Sequence, residues 1–393
     1  MDVIIIGGGA AGLFAALLLK NKKLNVTLLE KNDVFGKKLS LTGSGRCNYT
    51  NLNMGKECYF SDNISKTMSI INEFGPEDSI ESFKNIGIEP YFNDTYVYPM
   101  MRSAGEFTDV IISALNVSKI KCKTNQNITS VNYDESTSKF LVNTDSYSYT
   151  CDKVLICTGG LAMPKTGSTG IGYKIAESFG HKIIQASPAL SGFYYDDMCL
   201  KSLSGLRVNA AVYTDSGLSD KGEIQFTQNS VSGIPVMNIS GYINESTCLY
   251  LDLLPELSAE ETLGLLKDRK DKLSGFPVRN FFDGLFAKNL GRLLLNSLNK
   301  NKDIENLSES ELDSLNTLIK KFPVSVKDKK GYDEAQVTRG GVSLNEVTDY
   351  LESVYRKGLF FAGEVLNTDG ICGGYNLQWA FSSAYKAIKG IIV

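Results

Sequence analysis

The chain has 393 residues, with 41 basic and 44 acidic side chains and a formal net charge of −3. That length supports two or three domains and a large core. The near balance of charge, without a long basic block, argues against a nucleic-acid-binding surface. The single histidine, His181, excludes a His-rich metal site, and a Ser-His-Asp triad would have to use it. Its helix-end context predicts a surface or capping residue.

The cysteines and the apolar runs indicate the compartment. Eight cysteines stand at positions 47, 58, 122, 151, 157, 199, 248 and 372, without a CxxC pair or a metal-ligand spacing. Neither a signal-peptide pattern nor an apolar run of about eighteen residues is present. We therefore expect a cytoplasmic protein with reduced thiols and no membrane partner.

The first thirty residues carry a dinucleotide-binding pattern. An apolar run at 3–6 predicts a buried parallel strand, and Gly7, Gly9 and Gly12 follow with the spacing G-x-G-x-x-G before an apolar helix. In this pattern the first glycine permits a tight turn, the second lets the backbone approach a pyrophosphate, and the third lets helix and strand pack closely. The N–H groups at the helix start, around Ala10 and Ala11, favour the phosphates.

A second apolar stretch at 24–29 ends in Glu30, which Lys31 follows. Glu30 lies about 20 residues beyond the glycines, where this pattern places the carboxylate that binds ribose hydroxyls. An acid at this position disfavours a 2′-phosphate, so the sequence predicts FAD or NAD rather than NADP. The alternative is a Gly-rich turn in an ordinary βαβ unit.

Small and polar residues at 35–48 predict a loop. The elements predicted after it are helices at 65–74, 77–86 and 103–115, a hairpin at 89–98 and strands over 119–157. The last strand runs into Thr158, Gly159 and Gly160. Glycines within 164–172 then precede a helix predicted to end at 179, and they suggest another anion-binding nest. No apolar strand precedes them, so a second dinucleotide fold is not expected.

From about residue 188 the pattern changes and then returns. The elements predicted here are antiparallel strands at 206–214, 223–226 and 247–251, helices over 257–322, strand-into-glycine segments at 336–342 and 358–364, and a last helix from 373 to 388. The predicted fold class is α/β, a Rossmann-type domain split by a mixed insert of antiparallel strands and a small helical domain. The predicted domains are 1–187 with 336–393, a β-rich insert at 188–256 with 323–335, and a helical insert at 257–322.

In combination these motifs resemble the BaiN/YhiN-like family of bacterial FAD-dependent oxidoreductases, which has a glutathione-reductase-type FAD fold. The matching segments lie at 7–12, 45–48, 50–51, 158–160, 167–173, 337–343, 361–366 and 373–380. The insert departs from the family pattern Phe-Thr-His-x-Gly-x-Ser-Gly-Pro. At 226–235 this chain has Gln228 in place of the histidine and Ser230 in place of a glycine, with the proline displaced. We therefore expect that the substrate or the chemistry of this chain differs from that of the family.

The resemblance implies a non-covalent FAD that the N-terminal fingerprint and C-terminal residues bind together. Glu364 is expected to meet the ribityl chain, the alternative being a solvated loop acid. The N–H groups of Gly373 and Gly374 are expected to face the flavin pyrimidine ring and favour negative charge there, the alternative being a simple turn before a packing helix. The predicted cofactor-binding residues are Gly7, Gly9, Ala10, Ala11, Gly12, Glu30, Lys31, Lys38, Ser44, Arg46, Cys47, Asn48, Thr158, Gly159, Gly160, Gly363, Glu364, Gly373, Gly374, Tyr375, Asn376 and Leu377.

Disulfide reductases of this superfold carry a redox cysteine pair in the loop at 43–48, where this chain has only Cys47. Dithiol exchange is therefore excluded in that form. Cys47 either lies by the flavin or packs as a small buried residue; we expect packing, with Arg46 and Asn48 as polar contacts to FAD or neighbouring loops. Tyr375 and Trp379 are expected in the core rather than stacked on the cofactor.

In a flavoprotein the cofactor performs the redox step and the protein binds, orients and tunes it. The resemblance implies reduction of an activated C=C bond in a small, apolar, enone-like substrate. Without a second fingerprint, NAD(P)H is expected to bind only transiently as reductant, and no catalytic proton donor can be chosen from the sequence. The alternatives are a flavin oxidase of a small amine or alcohol and a non-catalytic flavin-binding sensor or scaffold. No nucleic-acid partner is expected, and the oligomeric state is open.

Overall fold

The computed structural model describes residues 1–243, 246–299 and 301–393. The chain divides into two compact units. The terminal unit comprises Met1–Pro188 and Tyr332–Val393, and the insert unit comprises Ala189–Gly331. Within the described residues, no helix combines the length and the apolar character needed to cross a membrane.

The helices and strands follow in chain order. The first segment contains β1 Asp2–Ile6, α1 Ala10–Leu19, β2 Asn25–Leu29, β3 Thr50–Asn51, β4 Tyr59–Ser61, α2 Ile64–Glu73, α3 Pro76–Lys84, β5 Pro90–Asn93, β6 Tyr96–Pro99, α4 Ala104–Asn116, β7 Lys121–Lys123, β8 Ile128–Asp134, β9 Lys139–Thr144, β10 Ser148–Cys151, β11 Lys153–Ile156, α5 Ile171–Ser178 and β12 Ile183–Ala189. The insert unit contains β13 Phe193–Tyr194, α6 Met198–Lys201, β14 Arg207–Tyr213, β15 Ser219–Phe226, β16 Ser230–Ser232, α7 Ile234–Ser240, β17 Thr247–Asp252, α8 Ala259–Lys272, α9 Lys288–Leu294, α10 Glu309–Lys320 and β18 Phe322–Val326. The last segment contains β19 Val337–Val342, β20 Leu359–Phe361, β21 Thr368–Gly370 and α11 Tyr375–Ile392.

A parallel sheet with the order β20-β11-β1-β2-β7 organises the terminal unit. The apolar run of β1 lies at its centre, and Ile4 and Ile5 are buried there. Because the carboxyl ends of parallel strands meet at one edge, the loops after β1, β2, β11 and β20 gather at the same place. This edge brings the predicted cofactor residues from both ends of the chain together.

Aromatic packing joins the first helix to the last. The ring of Phe14 on α1 lies 5.0 Å from that of Phe381 on α11, and 5.5 Å from that of Phe83 on α3. All three side chains are fully buried. Buried aromatic side chains bring large apolar areas to a core, so the N-terminal fingerprint and the C-terminal helix belong to one hydrophobic core.

The insert unit is built on an antiparallel sheet with the order β13-β16-β15-β14-β17-β18. Helices α8 and α10 each begin with a capping box, formed by Ser258 with Glu261 and by Ser308 with Glu311. Buried residues of the helical segment and of the sheet form one hydrophobic core. The division of this insert into a β-rich and a helical domain therefore stays a prediction.

The predicted α/β fold class is confirmed by the parallel sheet and its antiparallel insert. The predicted helices at 65–74, 77–86 and 103–115 appear as α2, α3 and α4, and the hairpin at 89–98 appears as β5 with β6. The sequence did not predict the short elements β12, β16, α6 and α7, because their length gives little periodicity.

The prediction that His181 is a surface or capping residue is wrong. Its side chain is buried, and Nε2 lies 2.6 Å from the hydroxyl of Ser353. The rings of Tyr355 and Phe361 pack edge-on against the imidazole. The chain reverses just after α5 and turns this side chain toward the end of β20, which a helix-end pattern alone does not show.

Candidate dinucleotide-binding site

The glycines of the N-terminal fingerprint have different roles. Gly7 has φ +103°, and a Cβ atom on it would overlap the carbonyl oxygen of Cys157. A Cβ atom on Gly12 would overlap the carbonyl oxygen of Gly7. At Gly9, in contrast, apart from Gly9 itself and its two chain neighbours, no atom of the described residues lies within 4 Å of the position that a Cβ atom would take. The fold thus requires Gly7 and Gly12, whereas Gly9 leaves room for a group such as a pyrophosphate beside the start of α1.

Glu30 is buried and held at the end of β2. Its Oε2 accepts a hydrogen bond from the N–H of Gly8 at 2.8 Å, and its Oε1 accepts from the backbone and side-chain nitrogens of Asn32 at 2.8 and 2.7 Å. The Asn32 amide also donates to the carbonyl oxygen of Thr166 at 2.9 Å. The glycine-rich segment at 164–172 therefore lies beside the acid, in the same site rather than in a second one. Lys31 is half-buried next to it.

Lys38 and Glu364 connect the two ends of the chain. The N–H of Gly36 donates to the carbonyl oxygen of Gly8 at 2.8 Å, which fixes the Lys38 segment to the phosphate loop. The Lys38 ammonium lies 2.8 Å from Oε2 of Glu364, and the other carboxylate oxygen accepts from the N–H of Thr338 at 2.8 Å. Both side chains are partly exposed, so the pair lies in the site with its charges accessible to a ligand.

The glycine pair before α11 is tightly packed. Gly374 has φ +95°, and a Cβ atom on it would lie 2.6 Å from the carbonyl group of Thr50. The carbonyl oxygen of Gly373 accepts from the side chain of Asn51 at 3.0 Å. The side chain of Asn376 is bonded to the N–H and the carbonyl oxygen of Gly370, at 2.8 and 2.7 Å. Any contact of Asn376 or the following Leu377 with a cofactor is therefore expected from the backbone at the start of α11.

Aromatic side chains surround this glycine pair. The rings of Tyr96 and Tyr375 approach Gly373 from two sides. Tyr375 is buried, and burial raises the pKa of its hydroxyl. Trp379 is buried as well, and its Nε1 donates to the carbonyl oxygen of Gly363 at 3.2 Å. Tyr375 and Trp379 thus lie in the core, as their helical spacing predicted.

The loop at 43–48 begins within a 3-10 segment, Leu39–Gly45. Cys47 is fully buried, and burial raises the pKa of its thiol to about 12 although the side chain of Thr42 opposes the shift. A thiolate is needed for redox exchange, so this geometry favours the packing role. Arg46 is exposed, 5.8 Å from the ring centroid of Tyr98, and Ser44 is exposed too.

Among the buried polar side-chain atoms of the described residues that have no hydrogen-bond partner, three lie on segments of the candidate site: Oδ1 of Asn48, Oγ1 of Thr158 and the hydroxyl of Tyr173. An unsatisfied buried polar group costs about 1–3 kcal/mol, so a ligand or water is expected to satisfy it. A Cβ atom on Gly160 would lie 2.9 Å from the Tyr173 hydroxyl. Burial, and to a smaller extent the charge of Glu364, raises the pKa of this hydroxyl. Such groups fit a ligand that carries several hydroxyl and carbonyl groups, as FAD does.

Sequence reasoning missed several residues that build this site. Asn32 holds Glu30, Thr338 holds Glu364, and Tyr173 adds a buried hydroxyl. Asn32 stands two residues after the acid, where a short polar side chain at a strand end is a signal for local hydrogen bonding. The other two residues had no local signal, because only the fold brings β19 and α5 to the carboxyl edge of the sheet.

The fold and this site define the class of a Rossmann-type flavoprotein oxidoreductase. The family model described as "HI0933-like protein Rossmann domain" matches residues 1–390. The chain belongs to the HI0933-like family, and it is an FAD-dependent oxidoreductase. The predicted resemblance to BaiN/YhiN-like proteins is confirmed by this match.

Two relatives match along nearly the whole chain. The 3-dehydro-bile acid delta(4,6)-reductase of Clostridium scindens is 33% identical over 98% of this chain and 97% of its own length. The ribosomal RNA dihydrouridine synthase of Haemophilus influenzae is 31% identical over 99% of this chain and 98% of its own length. Among solved structures, the apo form of the Mycobacterium smegmatis Sdh1 complex has a TM-score of 0.50 at 15% identity, covering 99% of this chain and 67% of that chain. That likeness shows the fold alone.

Proposed function

We propose that this protein reduces a C=C bond conjugated to a carbonyl group in a small, mostly apolar substrate, with bound FAD as cofactor and NAD(P)H as reductant. One observation carries the cofactor part of the proposal. The Lys38 ammonium lies 2.8 Å from the carboxylate of Glu364, and the hydrogen bond from Gly36 to Gly8 holds the Lys38 segment against the glycine-rich loop after β1. The two ends of the chain thereby form one continuous site with room beside Gly9 and unsatisfied buried polar atoms along it.

Individual residues of the terminal unit would hold FAD. The N–H groups of Ala10 and Ala11 open helix α1 and would bind the pyrophosphate. Glu30 would accept the ribose hydroxyls, Glu364 with Lys38 would meet the ribityl and phosphate groups, and the N–H groups of Gly373 and Gly374 would face the ring. When bound, FAD supplies hydride chemistry. Thr158 to Gly160 follow β11 and Gly363 follows β20, so these predicted residues lie at the same carboxyl edge of the sheet and would neighbour the cofactor.

The names of the two relatives support the type of bond. A 3-oxo bile acid with a double bond at C4 is an enone, and dihydrouridine is uridine whose C5=C6 bond, conjugated to the C4 carbonyl, has been saturated. Both names therefore describe reduction of a C=C bond next to a carbonyl group. We propose the same reaction class for this chain.

The size of the substrate separates two candidates. The net charge of −3 and the absence of a long basic block favour a small molecule over RNA, since RNA binding relies on basic surface. The whole-length similarity to the Haemophilus influenzae enzyme favours uridine in ribosomal RNA as the second candidate. A small molecule is the leading candidate. We also propose a cytoplasmic location, because each of the eight cysteines is a free thiol.

Spectra under anaerobic conditions test the proposal. The purified protein is expected to show an oxidised flavin spectrum that bleaches on addition of NADH or NADPH. Steady-state consumption of the reductant is then compared with 2-cyclohexen-1-one, with a 3-oxo-Δ4 steroid and with unmodified ribosomal RNA. Turnover with either small enone supports the leading candidate, and turnover with RNA alone supports the second. A flavin that both reductants leave oxidised overturns the proposal. Release of hydrogen peroxide with amines or alcohols would then indicate a flavin oxidase. Absence of turnover with every substrate would indicate a flavin-binding scaffold.

A further inference from the structure

A buried ion pair lies outside the residues assigned to the cofactor. Nε of Arg339 lies 3.1 Å from Oδ1 of Asp369, and Nη2 lies 2.9 Å from Oδ2, so the contact is bidentate. The Asp369 side chain is 1% exposed, and the Arg339 side chain is 19% exposed. The carboxylate is thus enclosed, and the part of the pair that reaches the surface is the guanidinium.

Asp369 and a ring fix the plane of this guanidinium, and the preceding residue anchors its backbone. Its central carbon lies 3.3 Å from the centroid of the Phe60 ring, and Phe60 is the residue opposite Asp369 in the pairing of β4 with β21. The preceding residue, Thr338, donates its N–H to Glu364, and its hydroxyl accepts from the N–H groups of Leu161 and Ala162. A planar cation held on one edge by a carboxylate and on one face by a ring keeps a defined orientation.

The pair lies next to the ring end of the proposed cofactor site. Asp369 belongs to β21, whose last residue, Gly370, is bonded through both backbone groups to the side chain of Asn376 in the first turn of α11. A Cβ atom on Gly370 would lie 2.6 Å from Cβ of Tyr375. The segment that carries Asp369 therefore leads directly into Gly373 and the start of α11.

The other arginines of the terminal unit lie elsewhere. Arg46 and Arg102 are exposed, and their nearest rings are those of Tyr98 and Tyr91. Arg356 pairs with the exposed Glu135 and lies over the ring of Tyr133. Arg339 alone among these four combines a buried carboxylate partner with a place beside the glycines that open α11.

We infer that Arg339 is a catalytic residue that binds the carbonyl oxygen of the substrate, with Asp369 and Phe60 as positioning residues. The inference rests on the proposed function. In that reaction one NAD(P)H and one proton are consumed and NAD(P)+ is released. The hydride adds to the β-carbon, the electrons of the C=C bond move toward the carbonyl oxygen as an enolate, and a proton from solvent then adds to the α-carbon. Arg339 stabilises the negative charge on that oxygen, which is larger in the transition state than in the substrate.

Binding of a phenolate tests this role without any turnover. A phenolate oxygen resembles the enolate oxygen, and a phenolate stacked on an oxidised flavin gives a long-wavelength absorbance band. The holoenzyme is titrated with 4-chlorophenol between pH 6 and 9, and the stopped-flow rate at which 2-cyclohexen-1-one reoxidises the reduced protein is measured. The variants are Arg339→Met, Arg339→Lys and the double variant Arg339→Met with Asp369→Asn, which leaves no unpaired buried carboxylate. Arg102→Met is the matched control because it removes another ring-stacked arginine.

The expected results distinguish catalysis from structure. Loss of one charge-assisted contact should weaken phenolate binding about 10- to 100-fold and slow reoxidation by the enone about 100- to 1000-fold. The double variant should behave like Arg339→Met, Arg339→Lys should recover part of both losses, and Arg102→Met should match the unaltered protein. FAD content and the rate of flavin reduction by NAD(P)H should stay within about twofold in all variants.

Several results would overturn the inference. Phenolate affinity and reoxidation rate within about threefold of the unaltered protein in the double variant would show that Arg339 is structural. Absence of phenolate binding by the unaltered protein would show that no such oxygen site exists. If the phenolate binds and depends on Arg339 but NADH and NADPH leave the flavin oxidised, the proposed function fails while the oxygen site stands.

Discussion

The two ends of the cofactor site are built in different ways. At the proposed phosphate and ribose end, the groups come from one βαβ unit: backbone N–H groups after β1 and the carboxylate of Glu30, which Gly8 and Asn32 hold. At the proposed ribityl and ring end, side-chain pairs join separate segments, as in Lys38 with Glu364, 326 residues apart, and Arg339 with Asp369, 30 residues apart. We propose that the first arrangement binds a phosphate through the open space beside Gly9 and through backbone N–H groups, a device that many enzymes share. The second depends on side-chain chemistry, which decides reactivity and substrate.

The largest effect is expected in the glycine loop. Gly12→Ala places a Cβ atom against the carbonyl oxygen of Gly7, and overpacking of this kind costs about 1–3 kcal/mol or more. Gly9→Ala meets open space in the described structure, so the apo protein should keep its stability within about 0.5 kcal/mol while FAD affinity falls at least about tenfold. Urea unfolding of both apo proteins and FAD titration give the comparison. Equal stability losses in the two variants would contradict the different roles assigned to these glycines.

Lys38 tests the join between the two ends. Lys38→Met removes the cation that pairs with Glu364, and loss of its proposed charge-assisted contact with the cofactor should lower FAD affinity about tenfold or more. The unfolding free energy of the apo protein should change by less than about 1 kcal/mol, since partly exposed ion pairs contribute little. Calorimetric titration with ADP and with FAD measures the loss. Lys37→Met alters the exposed neighbouring lysine and is the control; matching effects in both variants would argue against a specific contact.

His181 is expected to affect the stability of the terminal unit. Burial lowers the pKa of this imidazole below its ordinary value, and the nearby Glu346 opposes the shift. The unfolded chain then binds the proton first, so the free energy of unfolding should fall as pH decreases through about 6.5. Urea unfolding at pH 8 and pH 5 should show a larger loss in the unaltered protein than in His181→Gln. An equal loss in both proteins would mean that His181 is not the group responsible.

The smallest effect concerns the thiol in the loop near the ring end. With a pKa raised to about 12, Cys47 should stay unmodified by iodoacetamide at pH 8, whereas the exposed Cys199 should react. Mass spectrometry of the labelled peptides reads out both residues, and Cys199→Ser provides the reference. Rapid labelling of Cys47 in the folded holoenzyme would show that the loop opens. It would also support the alternative that Cys47 lies beside the flavin.

The local part of the site could be predicted from the sequence. The strand, the three glycines, the helix and Glu30 follow each other within one βαβ unit, so their spacing alone indicates the structure. The fold class followed from strand-into-glycine segments at both ends of the chain. The buried position of Tyr375 and Trp379 followed from helical spacing.

The rest depends on contacts that spacing does not encode. Lys38 and Glu364 stand 326 residues apart, and only the shared carboxyl edge of the parallel sheet brings them together. The enclosure of Asp369 needed the structure as well, because its partner Arg339 lies in another strand. His181 was misjudged for the same reason, because its burial comes from Ser353 and Phe361 in a distant segment.

The central claim is that the reduced protein gives a hydride to a C=C bond next to a carbonyl group. Single-turnover mixing tests it most directly: protein reduced with one equivalent of NADH or NADPH is mixed anaerobically with 2-cyclohexen-1-one or a 3-oxo-Δ4 steroid. We predict that at least one of these compounds returns the oxidised flavin spectrum with one equivalent of saturated ketone. A flavin that stays reduced with both enones and with ribosomal RNA, but reoxidises on admission of air, would contradict the claim.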